Sequence, residues 1–580
     1  MKPNYVFILV CCILSISQAT VAAPAASNGF RVRAVNLGGW LVTEGWMKPS
    51  LFDAIPNRDL LDGSRVQFKS VILGKYLSAE HGGGTILVAN KNVAMSSETF
   101  KLWRINETTF NFRVHNNQFV GLDTTDGVNL VAVENTPCIS ETFMILRNSD
   151  DPNRVRIKAS NGFFLQVKTG ELVNADSKGN ERWDDDDPSI FIMTTFSAFD
   201  GEYQITNGYG PVMAPKVMRV RFRRRKLAEQ VVAHIASVRS SIEALDFPDP
   251  VAPLPPPPLF PLIPDNGAGG AADTVGDPFE IGFGLGFRLE KSKGNSTSLE
   301  EDFKWISNNG LNAVRIPLGW WIAYDPNPPK PFVGGSLKAL DNAFKWATKY
   351  GLKVLLELHA APGSQNGFAL SASRDGTTGW GIDSISPTVA VIEFLAARYA
   401  KNPSLYSIGL MNEPSLWISP EAVMSYYRAG YDAVRRHSST AYVVMATRMG
   451  ALNVTELLPF AAQFERAVLD VHLYNFDHLT VHDTINDVYT HCREVVSAVT
   501  TSNGPLSFVA EWTGEWMVPN ATKEEYQRFV KAQLEVFDRA TFGWAYWTLK
   551  HVGNHWSLEW MIKNGYINLT ASNPISVSSI

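Results

Sequence analysis

Ser407-Ile-Gly-Leu-Met-Asn-Glu-Pro414 reads as an apolar strand that closes on the carboxylate Glu413, with a proline stopping it. Further along, Leu506-Ser-Phe-Val-Ala-Glu-Trp512 repeats the plan with Glu511. A carboxylate that ends an apolar strand is pointed into a cleft by the sheet behind it. Two of them facing one cleft have the parts needed to cleave a glycosidic bond by acid and nucleophilic chemistry.

Outward from these two segments, strands and amphipathic helices alternate from residue 303 onward, the pattern of βα units on a parallel sheet. Strands are expected at 312–316, 353–358, 407–411, 442–446, 467–472, 507–511 and 543–547, and 33–37 supplies an eighth. Eight strands with intervening helices give an α/β chain whose main body is a (β/α)8 TIM barrel, with catalysis at the C-terminal strand ends. Polar and aromatic residues collect at those ends. Arg315 follows the second strand, His359 closes the third, and Asn412 stands beside Glu413. His472 and Tyr474 close the sixth, and Trp547 closes the eighth. A lone strand-end His or Arg is more often structural; six strand ends delivering such residues together point to a site.

Between the first and second barrel strands the texture changes to short alternating strands with Gly and Asn turns. Val66-Gln-Phe-Lys, Phe110-Asn-Phe-Arg and Val155-Arg-Ile-Lys begin three similar stretches, with Tyr76, Phe119 and Phe164 spaced 43 and 45 residues apart. Three repeats of about four strands suggest a three-fold β unit over 62–196, inserted after the first strand. The expected order is a signal peptide at 1–23, the start of the barrel at 24–61, the β unit, a connector at 197–298, and the rest of the barrel at 299–570. Residues 217–297 fit neither unit. They hold the basic run Arg219-Val-Arg-Phe-Arg-Arg-Arg-Lys226, the stretch Pro253-Leu-Pro-Pro-Pro-Pro-Leu-Phe-Pro261, and Gly-Ala-rich sequence. A polyproline linker and an ordinary loop are alternatives. The preferred expectation is translated intron or a faulty gene model, because a barrel that otherwise reads continuously is interrupted. A mature transcript retaining every one of these codons would refute it.

Bulk properties limit the function classes. At 580 residues the chain exceeds one ordinary domain, and 45% hydrophobic with 19% charged residues fits large cores. A net charge of −5 gives no global basic field for nucleic acid or an anionic membrane. Lys2 followed by the apolar run Tyr5–Ile16 and small residues through Ala23 reads as a secretory signal, too short for a membrane span. Cleavage there leaves Cys138 and Cys492, one pair at most and no disulfide framework. Acceptor sequons at Asn106, Asn295, Asn453, Asn520 and Asn568 fit a secreted, extracellular or cell-wall glycoprotein. The polar C-terminus carries no lipid-anchor signal. With no metal cluster, Rossmann glycine motif or P-loop in the sequence, no cofactor is expected. Oligomeric state is not legible.

In a retaining mechanism one carboxyl protonates the leaving oxygen while the other attacks the anomeric carbon. Arg315 near Glu511 is expected to hold it ionised, with Tyr474 donating a hydrogen bond to the same group. Glu413 is expected in a less polar setting that keeps it protonated. Asn412 is placed to bond the sugar 2-hydroxyl, and Trp547 to floor the pocket.

Arg-Ile-Pro, Leu-His-Ala-Ala-Pro-Gly-Ser-Gln-Asn, Asn-Glu-Pro, His-x-Tyr and Glu-Trp together resemble glycoside hydrolase family 5. The stretch Asn36-Leu-Gly-Gly-Trp-Leu-Val-Thr-Glu44 is similar to the fungal exo-1,3-β-glucanases and their plant relatives with a fascin-like β-trefoil insertion. The resemblance implies that Glu413 is the acid/base and Glu511 the nucleophile. It also implies that Arg315, His359, Asn412, His472, Tyr474 and Trp547 line the sugar subsite, that Glu44 closes its non-reducing end, and that Phe368, with Phe476, clamps the entrance. The implied substrate is a β-glucan or β-glucoside, with polysaccharide binding as a role for the trefoil. Three departures stand out: Ala369 where the family has aspartate, Ala510 where it usually has glycine, and no His-Trp pair before Glu300. A transglycosylase or aryl-β-glucosidase would share every catalytic residue. A non-catalytic cell-wall polysaccharide-binding protein is the alternative from another class.

Overall fold

The computed structural model describes residues 30–42, 57–167, 171–196, 297–329, 332–451, 453–475, 480–516 and 518–570. The expected signal segment, Glu44, Phe476, and the basic and proline-rich runs of 217–297 lie outside the described residues.

The first strand, β1 (Val32–Asn36), belongs to a closed parallel barrel and precedes the β unit. That unit is antiparallel and holds three successive sets of four strands. They are β2 (Arg65–Ser70), β3 (Tyr76–Ala79), β4 (Leu87–Lys91) and β5 (Phe100–Arg104); β6 (Thr109–Arg113), β7 (Phe119–Leu122), β8 (Leu130–Glu134) and β9 (Thr142–Arg147); and β10 (Arg154–Ala159), β11 (Phe164–Val167), β12 (Val173–Ser177) and β13 (Phe191–Phe196). In every set the first strand pairs with the second and the fourth, or, for β2, with its equivalents β3 and β5. The sets are joined through β5 to β6, β9 to β10, and β13 back to β2. The faint sequence repeat is therefore a repeat of pairing.

Its physical basis is the core. Phe68, Phe112 and Ile157 occupy matching sites on the first strands, and Phe100, Phe143 and Phe191 on the fourth, all buried. The repeat extends to polar detail: the carboxylates of Glu98 and Glu141 each accept the backbone N–H three residues back, at 2.8 Å. Phe112 stacks on Phe143 with centroids 5.0 Å apart. Phe112→Ala removes that ring from a buried cluster and is expected to destabilise the unit by about 3–5 kcal/mol. Urea unfolding of the full chain checks this; a loss below about 1 kcal/mol would show that the three sets do not share one core.

The barrel continues with β14 (Ala313–Gly319), β15 (Lys353–Ala360), β16 (Leu405–Gly409), β17 (Tyr442–Ala446), β18 (Ala467–His472), β19 (Leu506–Trp512) and β20 (Gly543–Tyr546), and β1 closes it by pairing with both β14 and β20. These strands are largely apolar below the rim because both faces are covered, the inside by small and branched residues such as Ala34, Ala313, Val468 and Ala545. Helices pack outside. The helix at Ser336–Lys349 turns Ala339, Leu340, Ala343, Phe344 and Ala347 inward, and the one at Lys523–Phe537 begins with a capping box between Thr522 and Glu525. Register sets the chemistry: Asn36 pairs level with Arg315, and His472 level with Glu511, at the C-terminal rim.

Two expectations need correction. The fourth strand ends at Gly409, not at residue 411, so Glu413 stands beyond it at φ 41° rather than closing it. The backbone remains tied to its neighbours there, Leu410 N–H donating to Val444 O (3.0 Å) and Asn412 N–H to Leu358 O (2.9 Å), which is why the sequence reads as strand. The eighth strand likewise ends at Tyr546, one residue before Trp547, and the Trp547–Thr548 peptide bond is cis. Cys138 and Cys492 are both unpaired. Burial pushes the Cys492 thiol up to about 12. No helix among the described residues is long and apolar enough to cross a membrane.

Candidate active site

The centre of the rim is built around Arg315. Its side chain is buried, and its guanidinium donates through Nη1 to Glu511 Oε1 (2.8 Å) and Asn36 Oδ1 (2.7 Å), and through Nη2 to Asn412 Oδ1 (3.0 Å). Glu357 Oε1 lies 3.5 Å from Nη2. Asn36 is itself fixed by donating to the carbonyls of Ala510 and Tyr546. One planar fork thus ties four strands to one point, a task for which lysine has the wrong shape.

The other oxygen of Glu511 accepts from Tyr474 Oη at 2.8 Å. His472 stands between the two glutamates, with Nδ1 2.7 Å from Glu413 Oε1 and 3.5 Å from Glu511 Oε2, and with Nε2 3.4 Å from Asp470 Oδ2. One oxygen of Glu413 lies within 4.8 Å of one oxygen of Glu511. The expected apolar setting for Glu413 is therefore not what surrounds it; an imidazole sits against the carboxyl. Beside this group, His359 Nδ1 lies 2.9 Å from Glu357 Oε2, and its ring stacks on Trp547 at 5.4 Å and 8°. The indole comes close to the backbone: a Cβ on Gly38 would stand 2.7 Å from its Cζ2, so the first loop needs glycine there.

Burial alone would push Glu511 up, but the charges of His472 and Arg315, then His359 and the Tyr474 hydrogen bond, hold it below the usual carboxylate range. Burial also opposes charge on His472, and Glu511, Asp470 and Glu413 overcome it, raising the imidazole well above the ordinary histidine value. Tyr474 is held protonated, by burial first and by Glu511 next, so it remains a donor. The expectation that Arg315 ionises Glu511 thus holds in direction, with His472 the larger contributor. Glu413, His472 and Glu511 are also spaced as three metal ligands. A protonated imidazole offers no lone pair, and Arg315 already neutralises Glu511, so the trio is better described as an internal hydrogen-bond set.

The profile of the cellulase family (glycosyl hydrolase family 5) matches residues 276–553, and that of a domain of unknown function (DUF7910) matches residues 57–196. The chain is 31% identical over 310 residues to a glucan 1,3-beta-glucosidase of Blumeria graminis, an overlap of 46% of this chain and 71% of the relative. The chain belongs to glycosyl hydrolase family 5. It is 28% identical over 351 residues to a probable glucan 1,3-beta-glucosidase A of Aspergillus clavatus, covering 53% of this chain and 83% of that one. The crystal structure of a rutinosidase from Aspergillus niger overlaps 48% of this chain and 85% of its own at 20% identity, with a TM-score of 0.41, too low to add to the assignment.

As a family 5 member the protein is an O-glycosyl hydrolase, and the non-catalytic alternative falls. The structure brings together Arg315, His359, Asn412, Glu413, His472, Tyr474, Glu511 and Trp547. Phe368 is half-buried on the loop after β15, at the start of a short 3-10 turn. Sequence reading missed Asn36, Glu357 and Asp470. The signal was present for two of them: Glu357 and Asp470 sit two residues before His359 and His472, so they share those residues' face of the strand. The Nδ2 of Asn412 is buried with no hydrogen-bond partner, while its Oδ1 is fixed by Arg315.

Proposed function

We propose that this family 5 enzyme is a retaining β-glucosidase, releasing glucose from chain ends of 1,3-β-glucan or from cell-wall β-glucosides. Glu511 attacks the anomeric carbon, and Glu413 protonates the departing oxygen. Glu413 then takes a proton from the water that releases the sugar. The observation that carries this reading is the short gap between the two carboxylates combined with their different hydrogen-bond partners. Inverting enzymes hold their carboxyls about 6.5–9.5 Å apart to admit a water, whereas retaining pairs sit about 5–5.5 Å apart. The approach of the glutamate oxygens to within 4.8 Å supports the second geometry. Glu511, gripped by Arg315 and Tyr474, suits an anionic nucleophile. Glu413, with Oε1 2.7 Å from His472 Nδ1, faces a hydrogen-bonding imidazole and suits a group that gives and retakes a proton. The idle Asn412 Nδ2 supports a bond to the sugar 2-hydroxyl, which strengthens in the transition state. Trp547, backed by His359, offers a flat apolar face to the ring.

The exo mode and the glucan substrate draw support from the names of the curated relatives and from the Glu44 motif. Glucose as the first product from laminarin would agree with it; a ladder of oligosaccharides would refute it. Secretion draws support from the four described sequon residues, Asn106, Asn453, Asn520 and Asn568, all exposed. A fascin-like β-trefoil identity for the inserted unit draws support from its three sets of four strands. The relatives named above are fungal, so placement among the plant enzymes rests on that inserted unit.

Trp417 is 89% exposed and projects from the same loop as Glu413. An aromatic ring left in water four residues past an acid/base suits stacking with a sugar on the leaving side. Trp417→Ala is expected to raise KM for laminarin by about 2–10-fold while leaving p-nitrophenyl β-glucoside unaffected. Equal effects on both substrates would remove that role.

A further inference from the structure

The loop that follows β15 is held in three separate places. At its base, Gly379 N–H donates to Gly363 O (2.8 Å) and Trp380 N–H to Ser364 O (3.1 Å). On the site side, Gln365 Nε2 donates to the carbonyls of His359 (2.7 Å) and Asn412 (2.8 Å), and Asn366 Nδ2 to the carbonyl of Glu413 (3.1 Å). The tip is gripped by the β unit instead. Arg374 Nε and Nη2 donate to Asp62 Oδ1 (3.2 and 2.8 Å), and Nη2 also to Arg104 O (2.8 Å). The next residue, Asp375, accepts from Arg113 Nη1 (2.7 Å) and Trp103 Nε1 (3.0 Å). Both guanidinium groups lie against the Trp103 ring, Arg374 at 4.5 Å and Arg113 at 5.1 Å from its centroid.

This cluster is unlike an ordinary surface ion pair. The Asp375 side chain is 2% exposed and that of Arg113 13%. Burial acts to raise the Asp375 carboxyl, and Arg113 with Thr377 overrides it downward. Charges so far removed from water must keep their partners, because a broken pair leaves an uncompensated buried charge. Phe368 is wired to the tip: its carbonyl accepts from Ser373 N–H (3.2 Å), the residue before Arg374, and from Ser371 Oγ (3.0 Å).

We propose that Trp103, Arg113 and Asp62 of the β unit are positioning residues for the substrate loop. By gripping Arg374 and Asp375 they set where Phe368 stands beside the Glu413 loop, its N–H donating to Asn366 Oδ1 (3.1 Å) while Asn366 Nδ2 donates to the Glu413 carbonyl, so the β unit tunes the fit of the part of the substrate beyond the cleaved bond. The substrate part of this statement rests on the glycosidase reading above. The Glu413 end of the loop has its own anchors in Gln365, Asn366 and the Gly363–Gly379 bond. Releasing the tip therefore shifts the Phe368 segment and spares the chemistry.

The test uses the full chain with Trp103→Ala on one side of the contact, Arg374→Ala on the other, and the two combined. Each single variant is expected to raise KM for laminarin by about 5-fold or more with kcat within about 2-fold, since small misplacements of a positioning element are costly. The double variant is expected to be no worse than the worse single one, as for two halves of one contact. Trp103→Phe, which keeps the ring and loses the Nε1 donor, should fall between wild type and Trp103→Ala. Hydrogen exchange in 366–380 should quicken in both single variants while the core strands of the β unit stay protected. Unchanged exchange in the loop, KM effects that multiply in the double variant, or a fall in kcat matching the rise in KM would overturn the proposal. A wild-type chain inert on every β-glucan and β-glucoside would overturn the glycosidase reading and not the grip, which the exchange measurement tests alone.

Discussion

Glu511→Ala is expected to lower kcat on p-nitrophenyl β-glucoside by on the order of 10⁴-fold or more, because no other group can form the covalent intermediate. Removing the side chain opens a space on the face from which it attacks. Azide entering there should restore turnover and yield the α-glucosyl azide, the product of a single inversion. Glu413→Ala should behave differently. Loss of a general acid costs about 10²–10⁴-fold, and less for p-nitrophenolate, which leaves without much help from a proton. Its intermediate still forms, so azide should yield the β-glucosyl azide. Swapped azide products would exchange the two roles. Folding should survive Glu511→Ala, because Arg315 keeps Glu357, Asn36 and Asn412 as partners.

The second large effect falls on Arg315. Arg315→Met leaves Glu511 and Glu357 buried around an empty centre, and breaking such a pair costs about 3–5 kcal/mol of stability. Arg315→Lys keeps the charge and loses the fork, so it should fold better while losing about 10²-fold in kcat/KM. The pH dependence carries the sign. Glu511 is held below the ordinary carboxylate range, so its contribution to stability is full above the unfolded carboxylate value and is lost as pH falls through the folded one. Weakening Arg315 raises that folded value. The acidic limb of kcat/KM should therefore move to higher pH in both variants. His472 titrates in the opposite sense: its raised value stabilises the fold fully below the unfolded histidine value, and this is lost as pH rises through the folded value. An acidic limb that stays in place in Arg315→Met would show that His472 alone governs Glu511.

The barrel was legible because strands buried on both faces must be apolar along their length, and because their rims must carry the polar residues that chemistry needs. The six strand ends that carry candidate site residues were picked out by that contrast. The fourth strand misled because backbone bonds from Leu410 and Asn412 continue past the last ladder residue. The setting of Glu413 was not legible, since its neighbour His472 lies 59 residues away and only register brings it there. Asn36 escaped for the same reason: its partner Arg315 lies 279 residues away, across the whole inserted unit. The repeat in the β unit was faint because three-fold pairing asks only for apolar residues at matching sites, and Phe112 or Ile157 serves equally well.

Two glutamates facing one sugar bond divide the work, Glu511 acting on carbon and Glu413 on the proton. Proton NMR of the first glucose released from a β-glucoside, recorded before mutarotation, tests it directly. The β-anomer is the expected first product. The α-anomer as first product would mean a single displacement by water, and would contradict the role given to Glu511.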